Sequence, residues 1–256
     1  MKKVLFSAIL ALSTLSLCAQ PVFFSAKRAD KFLNVGIHAG LDISNVYLDE
    51  YLYKDFVQTD PGVGLMTGVM LDFNIIKSIS VRTGLDFIQR QQSCTLDQWW
   101  YLNNVRVGAW DTRYEIKQRS YWMDVPVMAT YHLILSPKFQ VQAGIGGFFS
   151  IGLEGQISET RKYNGLNDYN YPVKFKETAA ADYFHEGSFK RFDCGLMYSL
   201  GVQFKSLYAA VQIRQGLVNQ CKKFDPIKDD HQSFYDFNSS DESLMTTVNC
   251  VVGFTF

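Results

Sequence analysis

Alternation of apolar and polar residues dominates the chain from residue 35 onward. In the segment 35–43 the odd positions are apolar, and the even positions are Gly, His or Asp. A period of two is typical of a β-strand with one apolar and one polar face. The same alternation recurs in seven further segments, at 63–73, 79–87, 121–131, 139–153, 192–204, 207–213 and 246–256. The pattern therefore predicts eight strands.

The two faces of these strands differ in a way that indicates a membrane environment. The apolar phase contains no charged residue, although 20% of the chain is charged. The polar phase is rich in Gly, Asp, Arg, Gln and Ser and poor in Lys, unlike the outer face of a soluble sheet. Small and mutually pairing residues suit the narrow interior of an eight-stranded barrel. We therefore expect the polar phase to face inward and the apolar phase to face lipid.

The connections between the predicted strands alternate between short and long. The short ones are 74–78, 132–138 and 205–206, and the long ones include 47–60, 91–113, 154–190 and 219–243. Transmembrane barrels have short periplasmic turns on one rim and long external loops on the other. The sequence thus predicts an all-β fold, an eight-stranded antiparallel up-and-down transmembrane β-barrel over residues 34–256. Residues 20–33 are expected to form an N-terminal periplasmic segment.

Residues 1–19 are expected to be a secretory signal peptide. Lys2 and Lys3 form a positive n-region, residues 4–17 carry no charge, and Ala19 offers a small residue for cleavage. This apolar run is too short to span a bilayer comfortably, and no later segment has 18 uninterrupted apolar residues. A lipoprotein signal at Cys18 is the alternative, and the bulky residue before that cysteine disfavours it. The expected location of the exported chain is the outer membrane.

Composition excludes several other classes of protein. The 256 residues contain 25 Lys plus Arg and 25 Asp plus Glu, and this balance does not favour nucleic-acid binding. The hydrophobic fraction of 47% is too high for a disordered chain, and the aromatic fraction of 15% favours strands. Of the cysteines, Cys194 and Cys250 lie in the apolar phase of predicted strands. Cys94 and Cys221 lie near predicted loops, and whether they pair stays open.

Several segments resemble a known family. The runs SYWMDVPVMATY (120–131), FQVQAGIGG (139–147), FKRFDCGL (189–196) and QIRQGL (212–217) are similar to the PorT-like outer-membrane β-barrel family of Bacteroidetes. This resemblance covers nearly the whole chain after residue 20, and it implies an eight-stranded outer-membrane barrel whose function is usually unassigned. The ending VGFTF (252–256) is similar to the terminal signal that the barrel assembly machinery recognises. The resemblance therefore implies an assembly role for Phe254 and Phe256.

The inward phase carries many charged residues. The predicted lumen charge network consists of Asp42, Asp72, Arg82, Asp86, Asp124, Arg191, Asp193 and Arg214, with His38 and Arg90 in the same phase. Charges in a narrow lumen are costly unless they are paired. We expect Arg82 and Asp86 to face Asp124. Likewise, we expect Arg191 and Asp193 to face Arg214. The network is interpreted as a plug of salt bridges, and a proton or ion path is the alternative.

Catalytic chemistry finds little support in the sequence. The chain has four His, and none belongs to an H-E-x-x-H motif or to another pair at metal-ligand spacing. We therefore expect no metal, no cofactor and no enzymatic activity. The one candidate constellation is His185 with Asp182 and Ser188 in the longest loop, which would make the protein an enzyme acting at the external rim.

Specific function is expected in the external loops, because loops carry most binding residues. The candidate binding residues are Trp99, Trp100, Trp110, Tyr169 and Tyr171, and such aromatic groups can bind sugars or proteins or simply order the loop. The sequence thus favours a non-enzymatic outer-membrane barrel that is structural or binds a partner through its loops. Expected partners are outer-membrane lipid, the barrel assembly machinery, and another envelope protein or a surface glycan, but no nucleic acid. A soluble secreted ligand-binding barrel is the alternative.

Overall fold

The structure, a computed structural model, describes residues 23–49, 57–102, 105–166, 172–182, 184, 189–220 and 242–256. These residues form nine strands. The strands are β1 (Leu33–Asp49), β2 (Val57–Ile76), β3 (Ile79–Leu102), β4 (Val105–Ser136), β5 (Phe139–Leu166), β6 (Pro172–Asp182), β7 (Phe192–Phe204), β8 (Leu207–Gly216) and β9 (Glu242–Thr255). Among the described residues, no helix has the length and hydropathy needed to cross a membrane.

Eight of the nine strands close into a ring. β1 pairs with β2 on one side and with β9 on the other, and β4 pairs with β5. β5 continues the ring to β7, β8 and β9, and every pairing is antiparallel. The predicted eight-stranded up-and-down barrel is therefore confirmed, and all eight predicted segments lie in its wall.

β6 is outside the ring and was not predicted. It pairs only with the upper part of β5, from Gln156 opposite Asp182 to Leu166 opposite Pro172. The sequence does not predict this strand, because its apolar and polar residues alternate only over residues 173–176. Three alanines follow in the same strand, and alanine is a strong helix former.

Burial alternates along the wall as the sequence pattern requires. In β8 every second residue from Leu207 to Gly216 is exposed, and the residues between them are buried. The outward side chains are apolar around the ring, and Leu65, Ile145 and Val252 are among the most exposed. Inward positions are mostly polar or small, although methionines such as Met70 and Met128 also fill the interior. This arrangement is the reverse of the one that a soluble ligand-carrying barrel requires.

Three tight turns lie at one end of the barrel, at 77–78, 137–138 and 205–206. The N-terminal segment 23–32 lies at the same end, because the Lys77 amide donates to the Lys27 carbonyl at 2.9 Å. The Ser25 amide likewise donates to Ser78 Oγ at 2.8 Å. We call the three turns together with residues 23–32 the turn rim. The opposite end is the loop rim.

Three strands of the ring, β3, β4 and β5, continue far past the loop rim, and β6 pairs with β5 there. β3, β4 and β5 have 24, 32 and 28 residues, whereas a tilted strand crosses a bilayer with about 10 residues. Their pairing persists to Leu102 opposite Val105 and to Thr112 opposite Tyr163. We call residues 91–102, 105–120, 154–166 and 172–182 the external sheet. Much of what the sequence indicated as long loops at 91–113 and 154–190 is therefore strand.

The last residue contributes to closing the ring. The Phe256 amide donates to the Val35 carbonyl at 2.8 Å, so it extends the seam between β9 and β1. The rings of Phe254 and Phe256 meet edge to face with centroids 5.1 Å apart, and they are 41% and 64% exposed. Both rings therefore stand on the outer surface at the turn rim.

Deleting Phe256 is expected to lower the amount of membrane-inserted protein several-fold, because the seam loses a hydrogen bond and the terminal aromatic pair is removed. Heat-modifiable migration on gels of membrane fractions measures the folded barrel. Ile75→Ala is the control, since Ile75 is an exposed apolar residue of the same rim. Equal yields from the deletion and from the wild-type chain would contradict the assembly role.

Candidate functional site in the lumen and the external sheet

A compact polar cluster fills the lumen near the turn rim. Arg82 Nε and Nη2 donate to the two carboxylate oxygens of Asp72 at 2.8 and 2.7 Å, which makes a bidentate pair. Arg82 also donates to Tyr208 Oη at 2.9 Å and to Gln142 Oε1 at 2.7 Å. The guanidinium carbon lies 4.8 Å from the centre of the Tyr208 ring. We call these four residues the lower cluster, and its one positive and one negative charge balance.

A second polar cluster occupies the middle of the lumen, centred on Arg214 of β8. Its Nη2 donates to Asp86 Oδ2 at 2.5 Å, and its Nη1 donates to Asp124 Oδ2 at 2.6 Å. The β3–β4 register places Asp86 directly opposite Asp124, which alone would be repulsive. Arg214 reaches these two carboxylates from β8, on the other side of the lumen. One cation thus offsets a repulsion that the strand register creates.

Further groups complete this central cluster. Arg90 Nη2 donates to Asp124 Oδ2 at 3.1 Å, and Ser150 Oγ donates to Asp124 Oδ1 at 2.5 Å. His38 Nε2 lies 3.0 Å from Asp86 Oδ1. We define the central cluster as Asp86, Asp124, Arg214, Arg90, Ser150 and His38 together with Asp42 and Asp193 at its edges.

Asp42 and Asp193 lie at the edges of the central cluster. Asn249 Nδ2 donates to Asp42 Oδ1 at 2.6 Å, and the Ser44 hydroxyl donates to the other oxygen of the same carboxylate. Asp193 is 1% exposed, and Arg90 Nη1 lies 3.9 Å from its Oδ2. The central cluster therefore combines four carboxyl groups with two guanidinium groups and one imidazole.

Seven of the eight residues predicted for the lumen network lie inside the barrel, but with other partners than expected. The expectation that Arg82 faces Asp124 is wrong, because the β3–β4 register places Met128 opposite Arg82 and β2 brings Asp72 to its other side. Asp193 does not face Arg214 either, since the β7–β8 register places Met197 there. Asp86 does lie opposite Asp124. The partners follow from strand register, which alternation alone does not supply.

Arg191 is the residue that the structure places elsewhere. β7 begins one residue later, and the Arg191 side chain is exposed at the loop rim. Its Nη1 donates to the Gly152 and Leu153 carbonyls at 3.2 and 2.7 Å, and its guanidinium lies 4.8 Å from the centre of the Phe184 ring. The alternating phase does not apply before the strand starts. The prediction of Arg191 as a lumen residue is therefore wrong.

An apolar cap covers the charge network at the loop rim. It consists of Ile116, Trp122, Ile157, Phe184 and Phe189, which are all buried. Phe184 packs edge to face on Trp122 with ring centroids 5.4 Å apart. A Cβ atom on Gly152 would lie 2.2 Å from the Phe184 ring, so only glycine leaves room for this ring. Arg90, below the cap, lies 4.8 Å from the centre of the Trp122 ring.

Little empty space remains in this part of the lumen. A cavity of about 10 Å³ lies between Arg90, Ser44 and Met245, close to the external sheet. Such a volume holds roughly one water molecule. The lower cluster, the central cluster and the apolar cap together plug the lumen with side chains. Within the described residues, no group of three His, Cys, Asp or Glu side chains is arranged to hold a metal ion.

Some candidate loop residues lie on described strands, and others lie outside the described residues. Trp99 and Trp100 belong to β3 and Trp110 belongs to β4, and the backbone register sets Trp99 opposite Trp110 in the external sheet. Tyr169 and Tyr171 lie outside the described residues, as do His185 and Ser188. Cys221 also lies outside them, so its pairing with Cys94 stays a prediction. Cys194 and Cys250 are free thiols of the barrel wall.

Replacing Arg214 by Gln is expected to lower the free energy of unfolding by about 3–5 kcal/mol, because Asp86 and Asp124 would be left buried without their shared cation. Urea unfolding in detergent micelles, followed by tryptophan fluorescence, measures the change. The control is Arg119→Gln, which removes an exposed arginine of β4 and should change stability by less than about 0.5 kcal/mol. A loss no larger than that of the control would show that the central cluster contributes little to stability.

Comparisons with solved structures return outer-membrane proteins at low similarity. Ail of Yersinia pestis is 12% identical, with 87% of this chain and 98% of that chain covered and a TM-score of 0.34. OprG of Pseudomonas aeruginosa is 11% identical, with 91% and 99% covered and a TM-score of 0.40. The outer membrane protease OmpT of Escherichia coli is 12% identical, with 94% and 100% covered and a TM-score of 0.40.

These scores are too low for any argument about this chain. No curated protein matches it. The sequence itself, however, matches the family model described as the outer membrane protein beta-barrel domain over residues 19–220, which is most of the chain. This match agrees with the closed ring, the apolar outer face and the polar interior. The chain therefore belongs to the outer membrane protein beta-barrel domain family and is an integral barrel of the outer membrane.

Proposed function

We propose that this protein is a non-enzymatic barrel of the PorT-like branch that binds a partner through its external sheet. The length of the strands carries this proposal. Residues 105–120 of β4 continue past the barrel, and sixteen strand residues extend over about 50 Å. A chain selected only to fill the membrane has no need of such an extension. The extension supports a role in contacts outside the bilayer.

The proposed contact residues lie at the far end of the β3–β4 hairpin. The strand register sets Trp99 opposite Trp110, and Trp100 follows Trp99 in β3. Tryptophan is enriched at binding hot spots because it offers a large contact area with few rotatable bonds. A protein surface or a glycan is the matching ligand class, since indole rings pack on both. Tyr169 and Tyr171, which lie between β5 and β6 in the sequence, are a second candidate set.

The filled lumen supports a surface role over transport. The bonds of Arg82 to Gln142 and Tyr208 and the bridge made by Arg214 cross the bore at two levels, and the apolar cap lies above them. Small solutes would have to break buried charge pairs to pass, which is costly. The proposed function therefore assigns no solute permeation to the barrel.

An enzyme at the loop rim is the second candidate, and the triad of Asp182, His185 and Ser188 motivates it. Its test is hydrolysis of peptide and phospholipid substrates by the purified barrel. We expect no activity above background. Hydrolysis by the wild-type protein that disappears in His185→Ala would contradict the non-enzymatic proposal.

In planar bilayers the purified protein is expected to show no steady conductance, because side chains fill the bore at two charged levels. Gly152→Leu is an informative variant, since its side chain would displace the Phe184 ring from the apolar cap. Even this variant should stay closed, because the central cluster lies below the cap. A stable open level in the wild-type protein would contradict the plugged lumen.

Shortening the β3–β4 hairpin is expected to abolish partner binding and to leave the barrel intact. The variant joins Gln98 to Thr112, which are register partners, through an Asn-Gly turn and so removes the three tryptophans. Crosslinking on intact cells measures capture of neighbouring proteins, and a glycan array with purified protein measures sugar binding. Heat-modifiable migration verifies folding.

The control shortens the neighbouring β5–β6 hairpin in the same way. It joins Tyr163 to Phe175, which are also register partners, and leaves the tryptophans in place. Binding lost only in the first variant supports the tryptophan tip. Binding that persists in the first variant, or that is lost equally in both, would overturn this assignment.

A further inference from the structure

Each of the three tight turns at the turn rim carries one lysine. Lys77, Lys138 and Lys205 occupy the turns at 77–78, 137–138 and 205–206. The N-terminal segment adds Lys27, Arg28 and Lys31 at the same rim. The described residues of the turn rim thus carry six basic side chains and one acidic side chain, Asp30. That aspartate lies 3.0 Å from Lys77 Nζ and is 86% exposed.

Two of these lysines are direct neighbours. The Lys205 amide donates to the Lys138 carbonyl at 2.7 Å, so the turn after β4 and the turn after β7 touch. Both side chains are exposed, and neither forms a salt bridge with a described carboxylate. The two turns therefore place two exposed lysines next to each other on the same rim, and two neighbouring positive charges attract an anionic group. The arrangement therefore favours a shared anionic ligand.

Lys205 occupies a backbone position that suits glycine. Its φ is 54°, and it is the one described residue other than glycine with a positive φ. In a two-residue hairpin whose first residue has positive φ, glycine is the preferred residue there, because it has no Cβ to clash. The residue at this strained position is nevertheless a lysine. Strained residues are found most often at functional sites, and this strain therefore points to a function of the lysine side chain.

The position of Lys138 and Lys205 along the barrel axis places them at the edge of the lipid bilayer. Lys205 Nζ lies 5.8 Å from the centre of the Phe204 ring, which faces outward. Phe204, Leu207 and Phe256 are exposed apolar side chains next to the turn, and they mark the edge of the lipid-facing band. Phospholipid phosphates lie just beyond the hydrocarbon region, and lysines at that level extend toward them.

We propose that Lys138 and Lys205 bind the phosphate of an anionic phospholipid in the leaflet at the turn rim. The two ammonium groups hold the phosphate, and the exposed side chains around Phe204 contact its acyl chains. Lys77 and the basic N-terminal segment surround the rim with further positive charge. The site differs from the external sheet and lies at the opposite end of the barrel.

The test is native mass spectrometry of the detergent-purified full chain, titrated with dioleoyl phosphatidylglycerol or dioleoyl phosphatidylcholine. The variant is Lys138→Gln with Lys205→Gly. A lysine near an anionic surface contributes about 1 kcal/mol, or roughly a fivefold change in affinity, so about a 25-fold loss of phosphatidylglycerol binding is expected. Weak binding of phosphatidylcholine should change little.

The glycine in this variant separates lipid binding from folding. Lys205→Gly relieves the backbone cost, so its thermal stability in neutral detergent should equal or exceed that of the wild type. The matched control is Lys117→Gln with Arg119→Gln, which removes two exposed positive charges from the external sheet. Unchanged phosphatidylglycerol affinity in the turn variant would overturn the proposal. An equal loss in the control, or no preference over phosphatidylcholine in the wild type, would overturn it as well.

Discussion

The Arg214 guanidinium is the group on which the interior of this barrel depends. The antiparallel register of β3 and β4 places Asp86 opposite Asp124, and two buried carboxylates at this distance are costly without a cation. Arg214 comes from β8, on the far side of the bore, and bonds both of them. A single side chain thus connects three strands across the bore.

The filled interior leaves the two ends of the barrel as the places for the proposed contacts. The two polar clusters and the apolar cap occupy the bore where the structure describes it. At the loop rim the external sheet projects beyond the membrane, and at the turn rim basic side chains gather around the tight turns. The two rims therefore face different environments with different chemistry.

Much of the fold could be predicted from the sequence, because lipid on one side and a narrow lumen on the other force a strict period of two. The partners of the lumen charges could not, since register is a property of strand pairs; Asp72 and Arg82 meet only because β2 and β3 align there. The alternation places Arg191 in the lumen wrongly, because β7 begins only at Phe192. The sequence does not predict β6, because this strand lies outside the ring and no membrane imposes an apolar face on it.

The candidate binding surface was predictable as a set of aromatic residues but not as a structure. Trp99, Trp100 and Trp110 were expected on a loop, and the structure places them on two strands. Charged and polar residues interrupt the alternation of 91–113, because both faces of the external sheet lie outside the bilayer. A strand segment outside the bilayer has no lipid-facing side, so a strict hydrophobic period is not required of it.

The unbroken course of β4 through both environments has a thermodynamic consequence. One strand begins in the external sheet and ends at the turn rim, paired with β3 and β5 along its length. Binding residues on a loop must be ordered when a ligand arrives, and that ordering reduces affinity. Residues fixed on a strand that continues into the barrel wall are ordered already. Under the proposed function, the folding of the barrel therefore already includes the loss of backbone entropy that a loop would undergo on binding.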